Sequence, residues 1–171
     1  MRKIFTFLIA CCSLMCSAQS FLGVQYGTPY DNALSHYQTK YHENCEGAGE
    51  SVIIVNPKIG SCVFDCGIAS FSMVDGQSVL DGGVAFKETP ISQRSDLVSR
   101  QKELIGLLEQ KYGADTYLVK DDDGETLYFG KTLRSDDKWL GSLTIVEKQS
   151  EGVCALVLNY SKFLASKTDD L

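Results

Sequence analysis

The sequence predicts an α+β fold: two helices packed on one face of a curved antiparallel sheet, built from a helix-plus-meander unit used twice. Three observations carry this reading. Ser95 to Tyr112 sets Leu97, Val98, Gln101, Leu104, Ile105, Leu108 and Tyr112 on one helical face at the i, i+3, i+4, i+7 spacing. Thr28-Pro29-Tyr30-Asp31 opens a second helix. Around both, β-branched runs alternate with two-residue turn signals. An antiparallel sheet needs only one covered face, so two helices suffice and the other face meets water or a partner.

In chain order, Phe21 to Gly27 reads as an extended lead-in. Thr28 is the expected N-cap, with Pro29 at the first helical position, where its missing N–H costs nothing, and Asp31 near the positive end of the dipole. Tyr30, Ala33, Leu34, Tyr37 and Tyr41 share a face, and the helix is expected to fray near Cys45-Glu46-Gly47. Ser51 to Val55 is a β-branched strand ended by Asn56-Pro57. Cys62 to Val74 reads as one long or two short strands, and Asp75-Gly76 as a hairpin turn, because both turn positions need positive φ. Val79 to Lys87 returns, with a bulge expected at Asp81-Gly82-Gly83. After Pro90, the long helix takes Ser92 or Ser95 as cap and stops at Lys111-Tyr112-Gly113. Thr116 to Lys120, Thr126 to Gly130, Lys138 to Lys148 and Val153 to Tyr160 form the second meander, turning at Asp123-Gly124 and Glu151-Gly152. The tail from Ser161 has no evident partner. The halves are thus 21–90 and 91–171, within one compact domain.

Residues 1–20 have the three parts of an export signal: Arg2 and Lys3, the apolar run Ile4 to Leu14, and a small-residue cleavage site at Cys16-Ser17-Ala18 or Ala18-Gln19-Ser20. The run is too short to span a bilayer, which takes roughly 20 apolar residues. The product is expected in the periplasm or outside the cell. Leu8-Ile9-Ala10-Cys11 resembles a lipobox, so a lipoprotein anchored through Cys11 is the alternative. With 44% hydrophobic and 22% charged residues the chain has the composition of an ordinary folded domain. Its formal charge of −6 offers no basic field for nucleic acid. Removing Arg2 and Lys3 from the 16 basic residues leaves 14 against 22 acidic ones, a charge of −8.

Of seven cysteines, Cys11, Cys12 and Cys16 leave with the signal, and Cys45, Cys62, Cys66 and Cys154 remain. An even number in an oxidising compartment predicts two disulfides. If Cys62 and Cys66 lie on one strand their Cα atoms are about 13 Å apart at about 3.3 Å per residue, too far for a bridge. Each should then pair with Cys45 or Cys154. Cys45–Cys62 with Cys66–Cys154 is favoured, and the swapped pairing is the alternative. A bridge to Cys154 would close a loop of nearly ninety residues, worth roughly 4 to 5 kcal/mol in the chain-entropy account.

Phe21-Leu22-Gly23, Gly27-Thr28, Lys111-Tyr112-Gly113 and Val157-Leu158-Asn159-Tyr160 resemble small exported proteins of unknown function from Bacteroidota. The doubled helix-plus-meander order is similar to the β-lactamase-inhibitor-protein fold and, at half size, to outer-membrane assembly lipoproteins of the SmpA or OmlA type. That second resemblance is one of fold and carries no function residue by residue.

Catalytic and metal motifs are not evident. His36 and His42, six apart on a helix, point about 240° apart at about 100° per residue, so they cannot clasp one ion. Asp121-Asp122-Asp123-Gly124-Glu125 resembles the front of a calcium loop, but in that register position six is Thr126 and position twelve Thr132. No nucleophile elbow, papain-like cysteine motif or phosphate loop occurs, and the pairs Asp136-Asp137 and Asp169-Asp170 read as solvated. The expectation is a non-catalytic exported binding domain, without cofactor or metal, whose partner is a protein or envelope component. Inhibition of an extracellular or periplasmic enzyme is the alternative, and a hydrolase with an unrecognised site ranks below it. Trp139 and exposed tyrosines on the outer sheet face would favour binding.

Mass spectrometry of the protein from its host should find a chain beginning near Gln19 or Phe21. Met1 retained in the cytoplasm would overturn export, and a diacylated peptide starting at Cys11 would establish the lipoprotein form.

Overall fold

A computed structural model describes residues 20–121, 124–131 and 138–165. The predicted signal segment up to Gln19, the turn residues Asp122 and Asp123, Asp136-Asp137 and Asp169-Asp170 lie outside them.

The elements run β1 (Ser20–Phe21), β2 (Val24–Gln25), α1 (Tyr30–Tyr41), β3 (Cys45–Ala48), β4 (Ser51–Val55), β5 (Lys58–Ile59), β6 (Cys62–Val63), β7 (Cys66–Val74), β8 (Gln77–Pro90), α2 (Arg94–Tyr112), β9 (Thr116–Asp121), β10 (Gly124–Lys131), β11 (Lys138–Lys148) and β12 (Val153–Ala165). Two helices pack against an eight-strand antiparallel sheet of order β3-β4-β7-β8-β12-β11-β10-β9. The first half supplies four strands running from edge to centre in chain order, and the second half does the same from the opposite edge. The halves meet where their last strands, β8 and β12, pair from Val153 opposite Pro90 to Ser161 opposite Gly82.

Directly opposed residues in an antiparallel ladder share a face. One such row crosses all eight strands as Cys45, Ile54, Gly67, Ala85, Leu158, Leu143, Leu127 and Leu118. It lies on the helix side, and all but Leu118 are buried. From above, α2 buries Leu97, Gln101, Leu104, Ile105 and Leu108, the stripe read from its periodicity. The amide of Gln101, the polar member, donates from Nε2 to the Glu125 carbonyl at 2.7 Å, so its burial costs little. From α1, Ala33 and Tyr37 are buried, and the Tyr37 hydroxyl donates to the Phe21 carbonyl at 2.9 Å.

The next row holds Gly83, Tyr160, Gly141 and Phe129. A Cβ on Gly83 would come within 2.5 Å of the Phe21 ring, and one on Gly141 would fall on the Phe129 ring. The missing side chains let both rings lie on the sheet. Tyr160 sits between them, 6.0 Å from Phe21 and 5.1 Å from Phe129. Tyr112 of α2 stacks on Phe129 at 5.2 Å.

Several local expectations need correction. Residues 20–25 form a tight hairpin rather than a lead-in, turning through Leu22 (φ 50°) and Gly23 (φ 98°). Thr28 does not cap α1: its carbonyl accepts the Leu80 N–H at 2.9 Å, and Pro29 occupies the cap position. Neither Ser92 nor Ser95 caps α2, which follows a 3-10 turn over Ile91–Gln93. Cys45 to Gly47 is strand, not helix end, because α1 stops at Tyr41 and His42 turns the chain at φ 53°. Of the two forms expected for Cys62–Val74 the structure has two strands, and residues 56–65 make a side hairpin tied at its neck by the Asn56 N–H to the Asp65 carbonyl at 3.2 Å. The strand after Glu151-Gly152 does not stop at Tyr160. It continues to Ala165, opposite Lys138, after an irregularity between Trp139 and Gly141.

Leu104 is 2% exposed. Leu104→Ala should cost about 2 to 5 kcal/mol, and Gly83→Ala about 1 to 3 kcal/mol by overpacking against Phe21. Chemical denaturation of the two variants checks both, and a surface-like cost below about 0.5 kcal/mol for Leu104→Ala would mean that the stripe does not anchor the core.

Candidate functional site

The outer face of the sheet, opposite the helices, is also largely apolar. One outer row runs Glu46, Ile53, Ile68, Val84, Asn159, Ser142, Tyr128 and Tyr117, and the next Val55, Cys66, Phe86, Val157, Thr144, Thr126 and Val119. Ile53, Val55 and Val146 are 37%, 43% and 44% exposed, while Val84, Phe86 and Val157 are half-buried. No element of the described chain covers them, since both helices contribute to the core on the other side.

Within this face lies a trough along β12. Val153, Ala155 and Val157 form its floor, with Val84 and Phe86 of β8 as one wall and Val146 of β11 as the other, enclosing about 270 Å³. Ala155 makes the hollow, because its methyl group stands between larger neighbours. Glu88 and Lys148 border one end. The other end opens, past the shared Val84, into a polar hollow of about 590 Å³ edged by Ser70, Asp81, Asn159 and Ser161.

The predicted bulge produces that polar end. Ser70 pairs with Gly82 and Phe71 with Leu80, leaving Asp81 as the extra residue on β8. A bulge re-aims the side chain it carries. Beneath it, burial raises the Tyr26 and Tyr160 phenols well above the ordinary tyrosine range, with Tyr112 beside both and Asp81 adding to the effect on Tyr26. These phenols stay neutral and belong to the core.

At the far edge, Trp139 stacks on Tyr117 at 6.1 Å and lies tilted 6.1 Å from Tyr128. Tyr117 is 45% exposed, but Trp139 and Tyr128 are buried. The outer face therefore presents one open tyrosine rather than the aromatic platform that Trp139 suggested. Between trough and aromatics, the Thr126 and Thr144 hydroxyls bond each other at 2.9 Å.

The four candidate disulfide cysteines are not brought together: Cys45, Cys62, Cys66 and Cys154 are all free. Register gives the reason. Cys66 opposes Phe86, which opposes Val157, so Cys154 is two strands and three residues away, roughly 14 Å at strand spacings. A bridge needs Cα atoms within about 7 Å. Cys45 is separated from Gly67 by β4. Cys62 is buried in the side hairpin near Arg100 of α2, whereas Cys45 lies beside Tyr37 of α1. The even count spoke of chemistry but not of place.

Burial raises all four thiols. At Cys62 it outweighs Arg100 and Lys87, which favour the thiolate, and at Cys66 Asp65 reinforces it. Raised thiols are poor nucleophiles. His36 lies on α1 and His42 in the turn beyond it, so no helix presents them together. Of the acidic loop, Glu125 pairs with Lys120 at 2.7 Å, and Gly124 opposes Asp121 in the β9–β10 hairpin. Among the described residues no group of three or more His, Cys, Asp or Glu side chains has metal-holding geometry, and no helix is long and apolar enough to cross a membrane.

In reduced native protein a thiol reagent should modify Cys66, the one half-buried cysteine among the described residues, well before Cys45, Cys62 and Cys154, as peptide mapping would show. Because the thiols and the Tyr26, Tyr37 and Tyr160 phenols hold their protons more tightly when folded, stability is full below the unfolded pKa values. It falls as pH rises, from roughly 8.5 for the thiols and 10 for the phenols. A denaturation midpoint that rises between neutral and strongly alkaline pH would contradict this.

Against known proteins, the chain matches no family model, no curated protein and no solved structure.

Proposed function

We propose that this is a non-catalytic exported domain that binds a protein segment of an extracellular or envelope partner through the outer face of its sheet. The observation that carries the proposal is the uncovered apolar trough along β12, continuous with a polar hollow at the Asp81 bulge. Contiguous apolar surface with a polar rim is how interaction sites differ from ordinary surface. The raised thiols speak against a cysteine nucleophile, and the reading calls for no cofactor.

An inhibitor is the second reading. It is favoured by the β7–β8 hairpin tip, where Met73 is 65% and Val74 44% exposed beside the turn at Asp75 and Gly76. A projecting apolar tip of this kind fits an enzyme cleft.

Photo-crosslinking in the native host separates the two. A photoreactive residue at Val146 should give a discrete protein adduct that is lost when Phe86→Asp is added, while one at Glu109, on the exposed side of α2, should give none. An adduct from Met73 to an enzyme, with none from Val146, would replace the outer-face reading with inhibition.

A further inference from the structure

We infer that the partner segment is a basic amphipathic helix, seated with its apolar stripe in the β12 trough and a cationic side chain near each end. The inference rests on the outer face being the binding surface, and it names the chemistry of what lies there.

Shape argues for a helix. The trough is one strand wide, with walls on β8 and β11. Two ladder spacings separate the wall strands by roughly 10 Å from axis to axis, so the gap between their side chains admits one ridge of a helix face and not a whole helix. A second sheet would need a flat surface, whereas a helical stripe offers a ridge. The small Ala155 on the floor, buried between Val153 and Val157, receives that ridge.

Charge argues for cations. Asp81 stands at the polar end and Glu88 at the other. Neither side chain has an ion-pair partner among the described residues. The cation bordering the trough, Lys148, is already matched by Glu151 at 3.6 Å. The whole chain carries −6, so an approaching cation is favoured from a distance as well. Asp81 and Glu88 are seven positions apart on a bulged strand, roughly 20 Å. Helical rise spans that distance in about 13 residues. The segment is therefore about four turns long, apolar on one face, with Lys or Arg in its first and last turns.

A 14-residue peptide of leucine and lysine, with leucine at the i, i+3, i+4, i+7 positions, is the probe, and the same peptide with glutamate for lysine is its control. Fluorescence anisotropy with the purified protein should show the lysine peptide binding at least about tenfold more tightly than the glutamate one. Glu88→Lys with Asp81→Lys should remove that preference, Val146→Asp should abolish binding, and Asp96→Lys with Glu109→Lys, the same change of charge on the exposed side of α2, should alter it less than about twofold. Val146 and Glu88 are exposed, so their substitution tests the surface and not the fold, and circular dichroism verifies this. Equal binding of both peptides, lost in Val146→Asp, would overturn the charge selection and leave the outer-face reading standing. Binding indifferent to Val146→Asp would overturn both. A dimer that dissociates in Val146→Asp, with no peptide bound, would show that a second copy covers the face and overturn the helix.

Discussion

Two absent side chains organise the centre of this protein. Gly83 and Gly141 lie on the same row of the sheet, on either side of Tyr160; a Cβ on Gly83 would strike the Phe21 ring, and one on Gly141 the Asn159 carbonyl and the Phe129 ring. The rings of Phe21 and Phe129 fill those spaces, so Phe21, Tyr160, Phe129 and Tyr112 form a continuous aromatic layer across the junction of the halves. Each ring belongs to a different element: the N-terminal hairpin, β12, β10 and α2. The Tyr37 hydroxyl, bonded to the Phe21 carbonyl, attaches α1 to the same layer. Aromatic pairs at such separations contribute about 0.5 to 1.5 kcal/mol beyond their area burial, and here the contacts are in series. Any residue larger than glycine at either position would separate the layer from the sheet.

Much of the fold is written locally. The α2 stripe, the Asp75-Gly76 turn with φ 51° and 80°, the bulge at Asp81 and the glycine stop at Gly113 are consequences of residues within a few positions of one another. Where the structure departs from local rules, tertiary pairing has taken over the groups concerned. The Thr28 carbonyl is used by the Leu80 N–H, from a strand some fifty residues away, so Thr28 cannot also behave as a free cap. Leu22 adopts positive φ although leucine disfavours it, because Phe21 and Val24 must pair. β12 runs past Tyr160 because Lys138 and Trp139 are there to pair with it.

The outer face was harder to read than the core. A strand buried on one side alternates apolar and polar residues, but Ser51 to Val55 and Val153 to Leu158 are apolar at nearly every position. Such runs state that both faces are apolar. They do not state that one of them is left uncovered, which depends on where α1 and α2 pack. Nor does sequence show that Val84, Ala155 and Val146, from three separate strands, line one trough. The cysteines illustrate the reverse: their number suggested pairs, and the register that separates them is a property of the assembled sheet.

The position of β12 sets the order in which the molecule can be made. It is the last described strand in the chain, yet it lies in the middle of the sheet, between β8 and β11. Until residues 153–165 leave the ribosome the two halves have no seam, and β8 and β11 are both open edges. Until β12 pairs with both of these neighbours, the sheet remains two separate four- and three-stranded pieces.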